Sequence, residues 1–542
     1  MTFVASIMYD SWFEVYSCVD ERSAAYMACG LAAESGEPVC LSCTGATASR
    51  NYLPGLTEAY YRKLPVLAIT ASVHTGRVSQ NFAQVIDRSK QLNDVAKYSC
   101  TLPFVNTDED FWDCEVKINT AIHSLTKNGG GPAHINVQQN YSNDFSIMKL
   151  PEVRKITWYT YGDAFPEMIA GKIAIWIGNH KKMSARLTNA IDAFCSRNDG
   201  VVFCDHTSGY YGKFKVNAAI TEQQLNNTKE CPDLMVYIGD TSGAYYGIAK
   251  NVWRVNEDGE IRDVFRSVRA VFSMKEEYFF EYYVTHSNGA KQNRYFESCL
   301  NHVHDVRSRI LELPFSNVWC AMVTSSRIPA GSVIHFAILN SLRSWNFFDL
   351  PDNVEGFSNT GGFGIDGGLS SCIGSCLSDP KRLHFMIIGD LAFFYDMNAL
   401  GNRHVMNNLR VLIINNGKGT EFRNFNHHAS TFSDDADAYI AAGGHFGNKS
   451  PRLVMHYAQD LGFEYLTASN KDEYLEQLNV FMAEGISSKP IVFEVFTDSQ
   501  KESAALESVV SIDTTVKGEV KRLTKNVLGD KGVKLLKTII KR

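Results

Sequence analysis

Short apolar runs alternate with longer amphipathic stretches along most of the chain. "EPVCLSCT" reads as a buried strand, "YLPGLTEAYYRK" as a helix, "LPVLAITAS" as the next strand and "AHINVQQ" as a later one. Strands that are apolar throughout and separated by helix-length segments are the pattern of a parallel sheet covered on both faces. The same grammar returns in "IAIWIGN", "GVVFCDH" and "DLMVYIGD", and again in "HFMIIGD", "LRVLIINN" and "IVFEVF". These blocks predict an α/β protein of three doubly wound parallel-sheet domains, near 1–148, 149–315 and 316–515. The length agrees, since 542 residues exceed what one hydrophobic core serves.

The last stretch, 516–542, differs from the rest. From Lys517 it carries nine basic and two acidic residues, and "VKLLKTIIKR" sets Leu and Ile on one helical face. Such a tail can rest on an anionic membrane surface or a partner; more commonly it is a solvated helix docked on its own protein.

Composition removes several functional classes. A net charge of −6 argues against a nucleic-acid binder, which usually carries a dominant basic field. The thirteen cysteines are odd in number and lack paired CxxC spacing, so neither a disulfide framework nor a zinc site is expected. No apolar run is long enough to span a bilayer, and the start lacks a charged-then-apolar signal pattern. A reducing, cytoplasmic location is the expectation.

Two places hold candidate chemistry. In "IIGDLAFFYDMNALGNRHVMNNLRVLIINNGKGTEF" one strand ends at Gly389-Asp390 and the next at Asn415-Asn416-Gly417. Asp390 and Asn416 are 26 positions apart (416 − 390), room for one βαβ crossover between neighbouring strands. Both endings then face one crevice at the carboxyl edge of the sheet. A carboxylate, an amide oxygen and a main-chain carbonyl are hard donors that suit Mg²⁺. Gly417 and Gly419 let the backbone approach a diphosphate closely. Turn chemistry alone is the competing reading of either half. The second place is "VDERSAAYMACGLAAESGEPVCLSCTGATASRN", where Glu21 heads a helix of small residues. A carboxylate buried there needs a partner that this segment does not supply; a plain helix-start charge is the alternative.

The spacing of "GD" and "NN" resembles the thiamine-diphosphate motif, and "DERSAAYMACGLA" resembles the activating-glutamate segment of the same enzyme superfamily. Within it, "VDERSAAYMACGLA", "CTGATASRNYLPGLTEAYY", "PVLAITA", "FGIDGGLS" and "GDLAFFYDMNAL" read like the menaquinone-pathway 2-succinyl-5-enolpyruvyl-6-hydroxy-3-cyclohexene-1-carboxylate (SEPHCHC) synthase family. The likeness is strong over 15–90 and 325–425 and thin between them. It implies thiamine diphosphate and Mg²⁺ as cofactors, decarboxylation of a 2-oxo acid, and an active site shared across a homodimer or tetramer.

The resemblance also implies residue roles. Glu21 would hydrogen-bond N1′ of the cofactor's aminopyrimidine and favour the tautomer that activates C2. Asp390, Asn416 and the main-chain carbonyl of Lys418 would hold Mg²⁺. Ile365 would be the apolar wedge under the bent cofactor, although ordinary core is its other reading. Gly389, Leu391, Ala392 and Phe422 would line the cofactor cleft. Gln84 and Ser341, retained from the substrate pattern, would contact substrate. The middle block has "IGDTSGAY" without a GxGxxG loop, so no flavin is expected.

The chain departs from the family where carboxylates are bound. "TADRP" reads "TASVH" with Val73 in place of arginine, "NSxxxR" reads "NSLRSW" with Trp345, and Thr360 replaces the arginine ahead of "GIDG". Each lost charge-assisted hydrogen bond weakens carboxylate binding by about 1.5–3 kcal/mol. Arg77, Arg343 and Arg423 are the nearby candidates to compensate. Glu421, where relatives carry an apolar residue, is a candidate proton donor or a partner for a hydroxylated acceptor. His427 and His428 are candidates for the same task. The family also has a first βα unit with an "SPGSR" loop ahead of "FEVYSCVDE", and that unit is expected to be absent here. The leading expectation is a decarboxylase or carboligase acting on a small-molecule or sugar-type acceptor. The SEPHCHC reaction and a non-catalytic scaffold are the alternatives.

Overall fold

The computed structural model describes residues 2–43, 45–89, 91–140, 146, 152–225, 231–243, 249–287, 292–444 and 449–513. The basic tail lies outside the described residues. The architecture is α/β, with sheets of four, seven and six strands. The chain forms two compact units, Met1–Thr160 with Gly259–Val271, and Tyr161–Asp258 with Phe272–Arg542.

In the first unit, β1 (Val39–Ser42), β2 (Val66–Ser72), β3 (Tyr98–Leu102) and β4 (Ala133–Gln138) form a parallel sheet in the order β1-β2-β4-β3. Helix Glu21–Ser35 starts where the Asp20 side chain accepts from the Ser23 N–H, and stops at Gly36 in the left-handed region. Its buried face is Ala25, Ala28, Cys29 and Ala32. These small residues admit helix Leu53–Arg62 at close range: a Cβ on Gly55 would lie 2.4 Å from the Ala25 Cβ. The Cys29 thiol donates to the Gly55 carbonyl at this crossing (3.2 Å). Later in the unit, β5 (Thr157–Tyr159) follows Arg154, whose buried guanidinium pairs with Asp263 (2.6 Å) and Glu115 (3.1 Å). That pairing fastens 259–271 to this unit.

The second unit holds β6 (Ile173–Ile177), β7 (Gly200–Cys204), β8 (Lys215–Asn217), β9 (Leu234–Ile238) and β10 (Val252–Asn256), parallel in the order β10-β9-β6-β7-β8. After β11 (Val268–Ser273) comes the six-stranded sheet. It is made of β12 (Val333–Phe336), β13 (Glu355–Ser358), β14 (His384–Gly389), β15 (Leu409–Asn415), β16 (Glu464–Ala468) and β17 (Ile491–Phe496). Their order is β13-β12-β14-β15-β17-β16, again all parallel. β15 is buried at every residue, Arg410 included, and its stretch 411–414 reads as an apolar run. All thirteen cysteines are free thiols. No helix among the described residues is long and apolar enough to cross a membrane.

Candidate active site

β14 and β15 are adjacent and parallel, with Gly389 opposite Ile414, so Asp390 and Asn416 emerge side by side at the carboxyl edge of the sheet. Asp390 is 2 % exposed, and burial pushes its carboxyl up to about 7. Its Oδ2 accepts from the Gly417 N–H (2.8 Å), and Gly417 holds a φ of +80° that other residues resist. The two asparagines divide their work. Asn415 is fixed below the edge, its Nδ2 donating to Glu494 (2.7 Å). The Oδ1 of Asn416 is buried without a hydrogen-bond partner among the described residues, an arrangement that proteins rarely tolerate unless something else satisfies the atom.

These residues open on a cleft that also takes in Ile365, Gly389, Leu391, Ala392, Lys418, Phe422, Ser341 and Glu421. Ile365 packs against the core cluster under β14 and β15 while it lines the cleft, so both of its readings describe one position. The Lys418 ammonium is held by Asp437 (2.6 Å). Leu339, also in the lining, has a φ of +63° at the start of helix Asn340–Trp345, a strained conformation of the kind that clusters at functional sites.

Glu421 does not stand free. Its carboxylate takes both arms of Arg343, at 2.8 and 2.9 Å, and accepts from Asn424 Nδ2 (3.1 Å). Arg343 and Asn424 each donate in addition to Asn340 Oδ1 (3.1 Å each). Arg423 is engaged too, with Asp434 (3.1 Å) and Asp437 (3.6 Å). Trp345 is fully buried, its indole N–H donating to Asn317 Oδ1 (3.2 Å), and Thr360 accepts from Asn179 (3.1 Å). His427 caps a short 3₁₀ turn by accepting from the Ala429 N–H, with its ring edge against Phe422, and His428 is exposed. Neither histidine belongs to the cleft lining.

Glu502 lines the same cleft and escaped the sequence analysis. It is 7 % exposed and accepts from the Asn317 N–H (2.9 Å) and the Thr497 hydroxyl (2.6 Å). Burial raises it to about 7, and the Asp390 charge adds to the rise. Two buried acids in one cleft favour a cation. Among the described residues no three His, Cys, Asp or Glu side chains cluster as a metal site, so such a cation would draw on amide and main-chain oxygens.

In the first unit Glu21 opens its helix half-buried, with no hydrogen-bond or ion-pair partner among the described residues. It lies near Tyr52 and Cys43. Burial raises both of those groups above their ordinary range, and the Glu21 charge adds to it. Val73, Arg77 and Gln84 line a separate cavity of the same unit. Arg77 lies over the Phe82 ring, 5.2 Å from its centroid. Arg88 also lines this cavity and was missed from sequence, where an arginine four places after Gln84 carries no signal of burial.

The first unit thus holds a half-buried glutamate, without a hydrogen-bond or ion-pair partner among the described residues, at the head of a small-residue helix; the second unit holds an Asp/Asn pair at two parallel strand ends. The description "Thiamine pyrophosphate enzyme, N-terminal TPP binding domain" matches residues 1–91. In sequence the chain is similar to thiamine pyrophosphate-dependent enzymes. Over most of its length it is similar to 2-succinyl-5-enolpyruvyl-6-hydroxy-3-cyclohexene-1-carboxylate synthases. The protein of Bacteroides fragilis is 28% identical over 517 residues, 91% of each chain. That of Bacteroides thetaiotaomicron is 28% identical over 522 residues, again 91% of each. That of Flavobacterium psychrophilum is 25% identical over 520 residues, 90% of each.

Proposed function

We propose that this chain is a thiamine diphosphate- and Mg²⁺-dependent enzyme that removes CO₂ from a 2-oxo acid and joins the acyl unit to a small hydroxylated acceptor, sugar-type molecules included. The observation that carries the reading is the orphaned, buried Oδ1 of Asn416 beside buried Asp390. Both fit a divalent cation held by oxygen. Asp390, Asn416 and the main-chain carbonyl of Lys418 would hold the ion, and Asp437 keeps the Lys418 ammonium occupied. When bound, the cofactor supplies the electron sink that decarboxylation requires.

The protein's own residues do the rest. Glu21, without another partner, holds or accepts a proton at a ring nitrogen of the pyrimidine. Ile365 supports the cofactor from the core side, and Phe422 keeps water from the reacting end. Asn340 and the ion-paired Glu421, both in the cleft lining, present amide and carboxylate oxygens suited to hydroxyl groups. None of the replaced arginine positions, nor Arg343 or Arg423, offers the second unit's cleft an unpaired guanidinium. A carboxylate-rich acceptor is therefore disfavoured there.

Similarity over 91% of each chain favours a second reading, the reaction named for the relatives. Purified protein with cofactor and Mg²⁺ is to be offered a panel of 2-oxo acids while CO₂ is measured, with deuterium exchange at cofactor C2 as a parallel readout. CO₂ release with hydroxylated acceptors, and exchange that slows in Glu21→Gln, support the proposal. Efficient conversion of isochorismate with 2-oxoglutarate selects the second reading. No accelerated exchange in either protein leaves a non-catalytic scaffold.

A further inference from the structure

We propose that the cavity of the first unit is a carboxylate-binding subsite anchored by Arg88. It would receive the carboxylate of a small 2-oxo acid, and this assignment rests on the decarboxylase reading above. The cavity measures about 440 Å³, ample for an acid of a few carbons, and is walled by the segment from Ser72 to Ser89 with Asn136 and Gln139 behind it.

Arg88 is 5% exposed, and among the described residues its hydrogen bonds go to neutral acceptors. Nε donates to Ser49 Oγ (2.8 Å), Nη1 to the Ala71 carbonyl (2.7 Å) and Nη2 to the Ala46 carbonyl (3.3 Å). A guanidinium carries five N–H groups, so two remain after these bonds. No carboxylate pairs with Arg88 among the described residues. A buried charge without a counter-ion is costly, and a charge-assisted fork to an entering carboxylate is what offsets that cost.

The polar groups nearby do not supply the missing charge. Thr70, His134, Asn136 and Ser72 form a closed neutral chain. Thr70 Oγ1 contacts His134 Nε2 at 2.8 Å and donates to Asn136 Oδ1 at 3.1 Å, and Asn136 donates to Ser72 at 3.0 Å. His134 is pulled down to about 4 by burial and by the Arg88 charge, so it stays neutral. Asp87 is the acid in the cavity wall, and its Oδ1 accepts from the Ser89 N–H (2.8 Å). Arg77, at the exposed rim, adds a second positive charge, and the Gln84 amide stands in the same wall.

The test uses the full chain. Pyruvate and 2-oxoglutarate are titrated calorimetrically into protein free of thiamine diphosphate, and KM for CO₂ release is measured with cofactor present. Arg88→Met should weaken binding and raise KM by roughly 10- to 150-fold with kcat and cofactor affinity little changed; Arg88→Lys should recover part of the loss. Gln84→Glu, at an exposed position that leaves the Arg88 bonds intact, should weaken both by several-fold through its added charge. It decides the matter if Arg88→Met does not fold. Binding and KM indifferent to these variants would make Arg88 a structural peg and overturn the subsite while leaving the decarboxylase reading intact. Arg88-dependent binding of an acid that is never decarboxylated would do the reverse.

Discussion

Arg343 and Glu421 meet fork to fork, Nη1 to Oε2 at 2.8 Å and Nη2 to Oε1 at 2.9 Å, at the rim of the cleft that holds Asp390 and Asn416. The pair is mostly shielded, with side chains 24% and 18% exposed. Breaking it from either side leaves a poorly solvated charge. Arg343→Met and Glu421→Gln should each lower stability by about 1–3 kcal/mol, and the double variant should cost less than their sum. Urea unfolding of the four proteins measures the coupling. Glu421→Gln should also free Arg343, shifting preference toward carboxylate-bearing acceptors; an unchanged acceptor profile would contradict the role given to this pair.

The metal reading makes a contrast between side chain and main chain. Asn416→Ala removes the orphaned oxygen and should weaken Mg²⁺-dependent cofactor binding at least tenfold, a loss of about 1.4 kcal/mol or more. Lys418→Gly keeps the carbonyl and should leave the Mg²⁺ requirement within about twofold. Titration of Mg²⁺ at fixed thiamine diphosphate, followed by tryptophan fluorescence, distinguishes the two. Chelation with EDTA should reproduce the Asn416→Ala loss in the wild-type protein.

Asp390 and Glu502 predict a pH dependence of defined sign. Both are raised to about 7 by burial, above their ordinary carboxylate values. A raised acid contributes stability that is present below its unfolded pKa and lost as pH rises through the folded one. Metal-free protein should therefore melt at lower temperature at pH 8 than at pH 6. Mg²⁺ needs the ionised forms, so its affinity should rise over the same interval. Melting curves at the two pH values, with EDTA or with Mg²⁺ and cofactor, should cross; parallel curves would refute the cation site.

Gly55 offers a test of packing. Its missing Cβ leaves 2.4 Å to the Ala25 Cβ and 2.9 Å to the Ala25 main-chain carbon, too close for any side chain. Gly55→Ala must push helix Leu53–Arg62 away from helix Glu21–Ser35, at a cost of about 1–3 kcal/mol. Because Glu21 heads the second helix, C2 exchange should slow as well. Denaturant unfolding together with the exchange assay checks both effects.

Much of this was legible in the residues. The apolar stretches 385–388 and 411–414 of β14 and β15 followed from burial on both faces, and the parallel neighbours put Asp390 and Asn416 at one edge as their spacing implied. The small residues of helix Glu21–Ser35, visible in the sequence, are where helix Leu53–Arg62 packs closely. Other features left no local trace. Glu502 sits in the first turn of an ordinary capped helix, and only the fold carries it under Asn317. Asn415 and Asn416 look alike in sequence, yet the first donates to Glu494 on the neighbouring strand, while the Oδ1 of the second has no hydrogen-bond partner among the described residues.

What the sequence by itself determined was periodicity, spacing and residue type: parallel strands, a carboxylate and an amide at their ends, a glutamate before a helix of small residues, and arginines missing where relatives hold them. Those are properties of neighbours along the chain, where hydrophobic pattern and turn chemistry act directly. Which charges are spent and which are open was decided by the tertiary structure alone. Arg343 is closed by a glutamate 78 residues away (421 − 343), while Arg88 is buried against two carbonyls and a hydroxyl with no acid paired to it among the described residues. Long-range pairing of this kind follows from where the sheets bring loops together, and burial then sets what each charge must find.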